Sequence, residues 1–243
     1  MKTLGIIPAR YESSRFLGKA LADVDGIPLI QRVYNQVSMS EYIDDCIVAT
    51  DNEEIFNVCS SLAIPVEMTQ HFHKSGIDRI AEVAKRHEDY EAVIYIHCDE
   101  PFIMPTQVDL LVRGLMQDER TEITTLAKAI KEQHQLLDPD IVKIVFGMNH
   151  EAIYLSRLPI PYFSQAPEEE WLMRHQYYKH IGLYGFKRDT LLTLGNINES
   201  ALEQAENIEA LRWIENDFNI KVIVTDIDSI EINTPEDLEK ILG

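Results

Sequence analysis

The chain has 243 residues, 45% of them hydrophobic, and its 41 acidic side chains outnumber 22 basic ones to give a formal charge of −19. So acidic a chain lacks the basic footprint that nucleic-acid phosphates or an anionic membrane surface require, and neither is expected as a partner. No apolar run approaches the roughly 20 residues that cross a bilayer.

Strand and helix signals alternate from the start. Residues 3–8 (TLGIIP) form a short apolar run ended by proline, a buried first strand. After the Gly26–Ile27–Pro28 turn, Leu29, Val33 and Val37 recur at helical spacing. Residues 46–49 read as a strand and 52–62 as a helix capped by Asp51 or Asn52. A helix is predicted over 77–87, a strand over 92–97 and a helix with proline at its start over 105–116. This βαβα order implies an α/β fold, a doubly wound, mostly parallel sheet with helices on both faces. The second half is less regular. Strands are predicted over 141–146, 152–155, 177–186 and 220–224, and helices over 201–216 and 234–242. With no repeat, low-complexity tract or Gly/Ser linker, one domain over 1–243 is expected, with a small β-rich lobe protruding around 155–190 near the polar PEEE run.

Three features bear on location and chemistry. Cys46, Cys59 and Cys98 are odd in number and widely spaced, which is neither a disulfide framework nor a zinc pattern. The opening MKTLGIIPAR has no long apolar stretch and no small-residue cleavage site, so a cytoplasmic protein with reduced thiols is expected. The loop after the first strand, ARYESSRFLGKAL, concentrates Arg10, Arg15 and Lys19 with Ser13, Ser14 and Gly18. It is neither GxxxxGK[ST] nor GxGxxG. Loops at the carboxyl ends of strands bind ligands in open α/β sheets, and clustered cations in an acidic chain suit a triphosphate. A solvated basic loop explains the spacing equally well.

The carboxylate of Asp99, in YIHCDEP after a buried strand, can share a divalent cation with phosphates or can simply terminate a turn before Pro101. His97 beside it reads as a satisfied histidine or a ligand contact, and Cys98 as a packing residue.

The run IIPARYESSRFLGKAL resembles the R-x4-R-x2-G-K loop of the CMP-Kdo synthetases (Kdo being 3-deoxy-manno-octulosonate) and their CMP-sialate relatives, keeping Pro8, Ala9, Arg10, Arg15, Gly18 and Lys19. YIHCDEP resembles that family's VNVQGDEP, SGIDRIAEV its SGTERLAEV, and EINTPEDLEKIL its GVDTPEDLERV. Further likenesses involve Lys143, Tyr154, Ser156, Arg157 and Pro161, then His180, Gly182 and Tyr184, and then Glu203, Glu206, Glu209 and Arg212, so the resemblance runs colinearly along the chain.

The resemblance implies a GT-A-like nucleotidyltransferase that joins CMP from CTP to Kdo or a close analogue for lipopolysaccharide or capsule synthesis, with Mg²⁺ as cofactor and a homodimer as assembly. It places the nucleotide on Pro8, Ala9, Arg10, Ser14, Arg15, Lys19, Ser75 and Asp99, with Lys19, Asp99 and Arg10 catalytic. The acidic sugar falls to Arg79, His97, Arg157, His180, Tyr184 and Glu209, and the metal to Asp99 and Asn233. Asn233 alternatively caps the last helix.

The chain departs from the family wording at His97, Ala210 and Asn233, all near the implied sugar or metal. That pattern points to a modified acid, such as the 8-amino analogue of Kdo, or to an altered metal site. Rival readings are transfer to a sialic-type acid, a non-catalytic nucleotide-binding protein and a sugar-nucleotide-using glycosyltransferase.

Overall fold

Strand β1 (Thr3–Ala9) shows how the sheet is built. Its alternate residues serve opposite faces, Leu4 and Ile6 entering one apolar cluster and Ile7 and Ala9 a second. The computed structural model describes residues 1–12, 16–73 and 75–242.

After β1 come the hairpin β2 (Asp23–Val24) and β3 (Ile27–Pro28), α1 (Leu29–Val37), β4 (Asp45–Thr50), α2 (Glu53–Ser61), β5 (Val66–Met68), α3 (Gly76–Arg86), β6 (Ala92–Tyr95) and α4 (Pro105–Gln117). The remainder comprises β7 (Ile123–Ala129), α5 (Gln133–Leu137), β8 (Lys143–Phe146), β9 (Ala152–Ser156), α6 (Trp171–Arg174), β10 (Tyr178–Lys187), α7 (Arg188–Leu194), α8 (Ala201–Glu206), α9 (Ala210–Glu215), β11 (Ile220–Val224) and α10 (Pro235–Leu242).

The main sheet runs β11-β7-β10-β6-β1-β4-β5. Its neighbours are parallel except for β10, which is antiparallel to both β6 and β7. Helices α1, α2 and α4 supply Leu29, Ile55 and Leu111 to one cluster, while α3, α7 and α9 supply Ile80, Leu191 and Trp213 to the other. The expected doubly wound α/β architecture is therefore present. Beyond β1 the chain goes out to β4 and β5 on one side and returns as β6 on the other, which creates a switch point at the carboxyl ends of β1 and β6.

Local chemistry explains most boundaries. Asn52 caps α2 by accepting from the Glu54 and Ile55 amides at 2.9 and 3.0 Å. Ser75 and Asp78 form a capping box at the start of α3, and Lys85 and Arg86 close its last turn.

Three expectations change. Strand β7 lies between β10 and β11 yet carries adjacent buried threonines, whose hydroxyls donate to the carbonyls of Leu111 and Leu183. Those polar residues conceal a core strand from a hydrophobicity pattern. The stretch 178–187, counted with the protruding lobe, is instead the antiparallel strand at the centre of the sheet. The β8–β9 hairpin joins the main sheet through β10 and packs on its core through Ile144 and Leu155, while Ile130, Leu136, Trp171 and Tyr177 form a separate small cluster.

The single helix expected over 201–216 is two, divided at Asn207 with φ +54°. The Arg157 guanidinium donates to the Glu206 and Asn207 carbonyls at 2.7 and 3.3 Å, satisfying the end of α8. No helix among the described residues is long and apolar enough to cross a membrane.

Candidate active site

A cleft of about 390 Å³ opens at the switch point, lined by Pro8, Arg10, Glu12, Lys19, Gly76, Tyr95, His97, Cys98 and Asp99. Two segments 80 residues apart meet there, because Lys19 Nζ donates to Asp99 Oδ2 at 2.7 Å. Both side chains are largely buried, at 10% and 17% exposure. Gly18 makes the approach possible. It sits at φ +68°, the left-handed region that glycine adopts without strain, and its amide bonds the Tyr11 carbonyl at 2.8 Å.

Asp99 is the electrostatic centre. Burial opposes its charge, but His97 and Lys19 together hold its carboxyl below the usual range. His97 Nδ1 stands 3.9 Å from Asp99 Oδ1, and that oxygen is buried with no hydrogen-bond partner among the described residues. An unspent, charged, hard oxygen beside a phosphate-sized cleft is the donor type that Mg²⁺ takes, usually one or two carboxylates with phosphate and water completing the shell. The described residues contain no group of three or more His, Cys, Asp or Glu side chains placed to hold a metal by themselves.

The segment carrying Asn233 is bonded to the same turn, with the Ile232 amide donating to the Asp99 carbonyl at 2.9 Å. Asn233 Nδ2 donates to Glu231 at 2.9 Å. The cap of α10 is formed not by Asn233 but by Thr234, which exchanges hydrogen bonds with Asp237. Next to Asp99, Glu100 is fully buried and accepts from the Ser229 hydroxyl. Burial and nearby Glu231 push its carboxyl well above the ordinary carboxylate range.

The opposite wall begins at α3. The Gly76 amide donates to Glu209 Oε1 at 3.0 Å. Burial raises the Glu209 carboxyl, with His97 offsetting part of the effect. Tyr184 is buried and packs edge-on against Trp213 at 4.8 Å. His180 shares a 2.8 Å hydrogen bond with the Thr125 hydroxyl. A bulge in β10 between Ile181 and Tyr184 brings Gly182 beside His97, where an added Cβ would lie 3.6 Å from the imidazole.

Burial, with His97 adding to it, depresses His180 from 6.5 to about 3. An unfolded chain therefore binds a proton there that the folded chain refuses. Stability contributed by this group is complete above pH 6.5 and declines as the pH falls from 6.5 towards 3. The expected slope is at most about 1.4 kcal/mol per pH unit. Urea titrations of wild type and His180→Asn between pH 4 and 7 should show a shallower pH dependence in the variant.

Several expected contacts fall elsewhere. Arg79 is fully buried, with its guanidinium on Asp51 at 2.8 Å and on the Thr69 hydroxyl, while its Nε has no hydrogen-bond partner among the described residues. Arg157 donates to the carbonyls of Glu206, Asn207 and Pro139, which ties its guanidinium to loop closure. Ser75 uses its hydroxyl in the α3 cap, and Ala9 is buried in the core. Ser14 and Arg15 lie outside the described residues.

Glu12 and Tyr95 line the cleft without having been singled out from the sequence, whereas Gly76 belongs to the SGIDRIAEV stretch that carries the resemblance. Tyr95 was legible in principle, since it lies two residues before His97 and so on the same face of an extended segment.

A doubly wound sheet with a Lys–carboxylate pair at its switch point, beside an exposed arginine and an unspent carboxylate oxygen, defines a nucleotidyltransferase class of site. Residues 4–225 match the cytidylyltransferase family, and the chain belongs to it. A 3-deoxy-manno-octulosonate cytidylyltransferase of Parabacteroides distasonis is 44% identical, the match covering 100% of this chain and 98% of that protein. One of Geotalea uraniireducens is 41% identical, with 100% and 98% covered. A solved structure of CMP:2-keto-3-deoxy-manno-octonic acid synthetase complexed with CTP matches with a TM-score of 0.92 at 34% identity, covering 100% of this chain and 97% of that one. A cytidylyltransferase from Leptospira borgpetersenii, at 16% identity and TM-score 0.65, shares the fold over 100% of this chain and 85% of its own.

Proposed function

We propose that this cytidylyltransferase transfers CMP from CTP to the anomeric hydroxyl of 3-deoxy-manno-octulosonate or a close analogue, releasing pyrophosphate. The observation that carries this reading is the Lys19–Asp99 pair at the mouth of β1 and β6, in a chain alike over its whole length to relatives named for that reaction. Arg10 and Lys19 bind the triphosphate and neutralise charge as pyrophosphate departs. Positioning the acceptor hydroxyl in line with the α-phosphorus supplies much of the remaining rate.

Asp99, with Asn233 from the segment bonded to its turn, would hold Mg²⁺. When bound, the metal supplies Lewis-acid stabilisation of phosphate charge and lowers the pKa of the attacking hydroxyl. His97, His180, Tyr184 and Glu209 form the acceptor side. The lobe serves a homodimer, a reading supported by the strongly exposed Met148, Leu158, Tyr162 and Met173 around it. Nothing in the reaction calls for a membrane or nucleic acid, which suits a cytoplasmic enzyme.

Pyrophosphate release from CTP with Mg²⁺ should be measured with Kdo, its 8-amino analogue and sialic acid, before and after chelation by EDTA. Turnover with a Kdo-type acid that EDTA abolishes is expected. CTP binding without turnover on any acceptor would overturn the reading in favour of a non-catalytic nucleotide-binding protein, and the preferred acceptor identifies the C8 substituent.

A further inference from the structure

The Tyr95 ring is 6% exposed and packs against two others, with His97 stacked on it at 4.7 Å and 28° and Tyr184 stacked at 6.4 Å and 27°. Its direction is therefore set by packing, and its hydroxyl is aimed at the first residue of α3. A Cβ on Gly76 would lie 1.9 Å from the Tyr95 oxygen, so the hydroxyl occupies the space where any other residue would carry a side chain. That hydroxyl makes no hydrogen bond with the described residues, and Tyr95 lines the cleft, so its donor is open to a ligand there.

Gly76 also fixes the neighbour of this donor. Its amide engages Glu209 Oε1 at 3.0 Å, and the Glu209 carboxylate makes no other hydrogen bond with the described residues. An O–H donor and a carboxylate acceptor thus meet at Gly76, which lines the cleft. A phosphate or carboxylate would be repelled by Glu209. A neutral hydroxyl is the group that accepts from one partner and donates to the other.

We infer that Tyr95 is a specificity-determining residue whose hydroxyl, paired with Glu209, reads a hydroxyl group of the acceptor sugar. This rests on the proposed sugar-acid acceptor. Sites that hydrogen-bond a substrate hydroxyl discriminate strongly, because the buried protein groups are stranded when it is missing. Burial and the charges of Glu209 and Asp99 raise the phenol well above its ordinary value, which keeps it a donor throughout the working pH range.

The test is Tyr95→Phe, which deletes one oxygen and leaves the stacked ring. The variant should lose about 10- to 100-fold in kcat/KM for the acceptor, through the acceptor's KM, an effect of about 1.4–2.7 kcal/mol. The KM for CTP should stay within about twofold and Tm within about 2 °C, because the oxygen bonds nothing among the described residues. A variant with wild-type kcat/KM for the acceptor, or with its loss in the KM for CTP, overturns the inference while leaving the proposed reaction standing. A wild type that turns over no sugar acid overturns both.

Discussion

Replacing Asp99 by Asn is expected to lower kcat/KM for pyrophosphate release by about 10³-fold, equal to about 4 kcal/mol of transition-state stabilisation. Asparagine preserves size and one acceptor oxygen, and the backbone carbonyl that receives the Ile232 amide is untouched. What disappears is the charge that pairs with Lys19 at 2.7 Å and the unspent Oδ1 suited to a divalent cation. The fold should survive, so Tm measured beside the assay should change by only a few degrees. Turnover within tenfold of wild type would sink the assignment of Asp99 to the chemistry and leave it as a turn residue. Titration of Mn²⁺ monitored by electron paramagnetic resonance gives a second readout, with weaker binding expected in the variant.

The largest stability effect is expected from Arg212→Leu. The guanidinium makes a bidentate pair with Glu203 at 2.7 and 2.6 Å and donates to the Ile197 carbonyl at 2.9 Å. The two side chains are only 5% and 7% exposed. Leucine leaves the Glu203 carboxylate buried without its cation, a loss of about 3–5 kcal/mol. For a chain of this size that corresponds to a fall in Tm of about 6–20 °C by calorimetry. Arg212 also reaches Asp78 at 3.7 Å, so it ties α8 and α9 to the first turn of α3. Glu209 bonds that same turn, and the KM for the acceptor should therefore rise while the KM for CTP changes little. A double variant with Glu203→Leu removes the stranded charge and should recover part of the lost stability, whereas a drop in Tm below about 2 °C for the single variant would show the pair to be incidental.

What the amino-acid sequence determined by itself was the local part of the design. The alternating run of β1, the capping residue Asn52, the glycine at position 18 and the cationic loop all act through neighbours a few residues away. Their physical consequences were legible without a fold, as was the carboxylate at the end of a buried strand. The resemblance of the first loop and the DEP turn to one family went further and placed both on a single nucleotide.

Only the tertiary structure decided which charges remain available for a ligand. Arg79 and Lys19 look alike in sequence, as cations in stretches that resemble one family. Yet strand order presents Asp51 and Thr69 to Arg79 and buries it, while Lys19 meets Asp99 at the cleft. Arg157 was likewise consumed by carbonyls exposed where α8 breaks at Asn207. Strand β7 was hidden because buried threonine hydroxyls find acceptors on α4 and β10, partners more than ten residues away in sequence. The hydroxyl of Tyr95 is set apart only by the missing side chain of Gly76 on another element. Periodicity and capping are short-range and can be read from the chain. The satisfaction of a buried polar group depends on what the sheet order brings to it, and no local pattern encodes that.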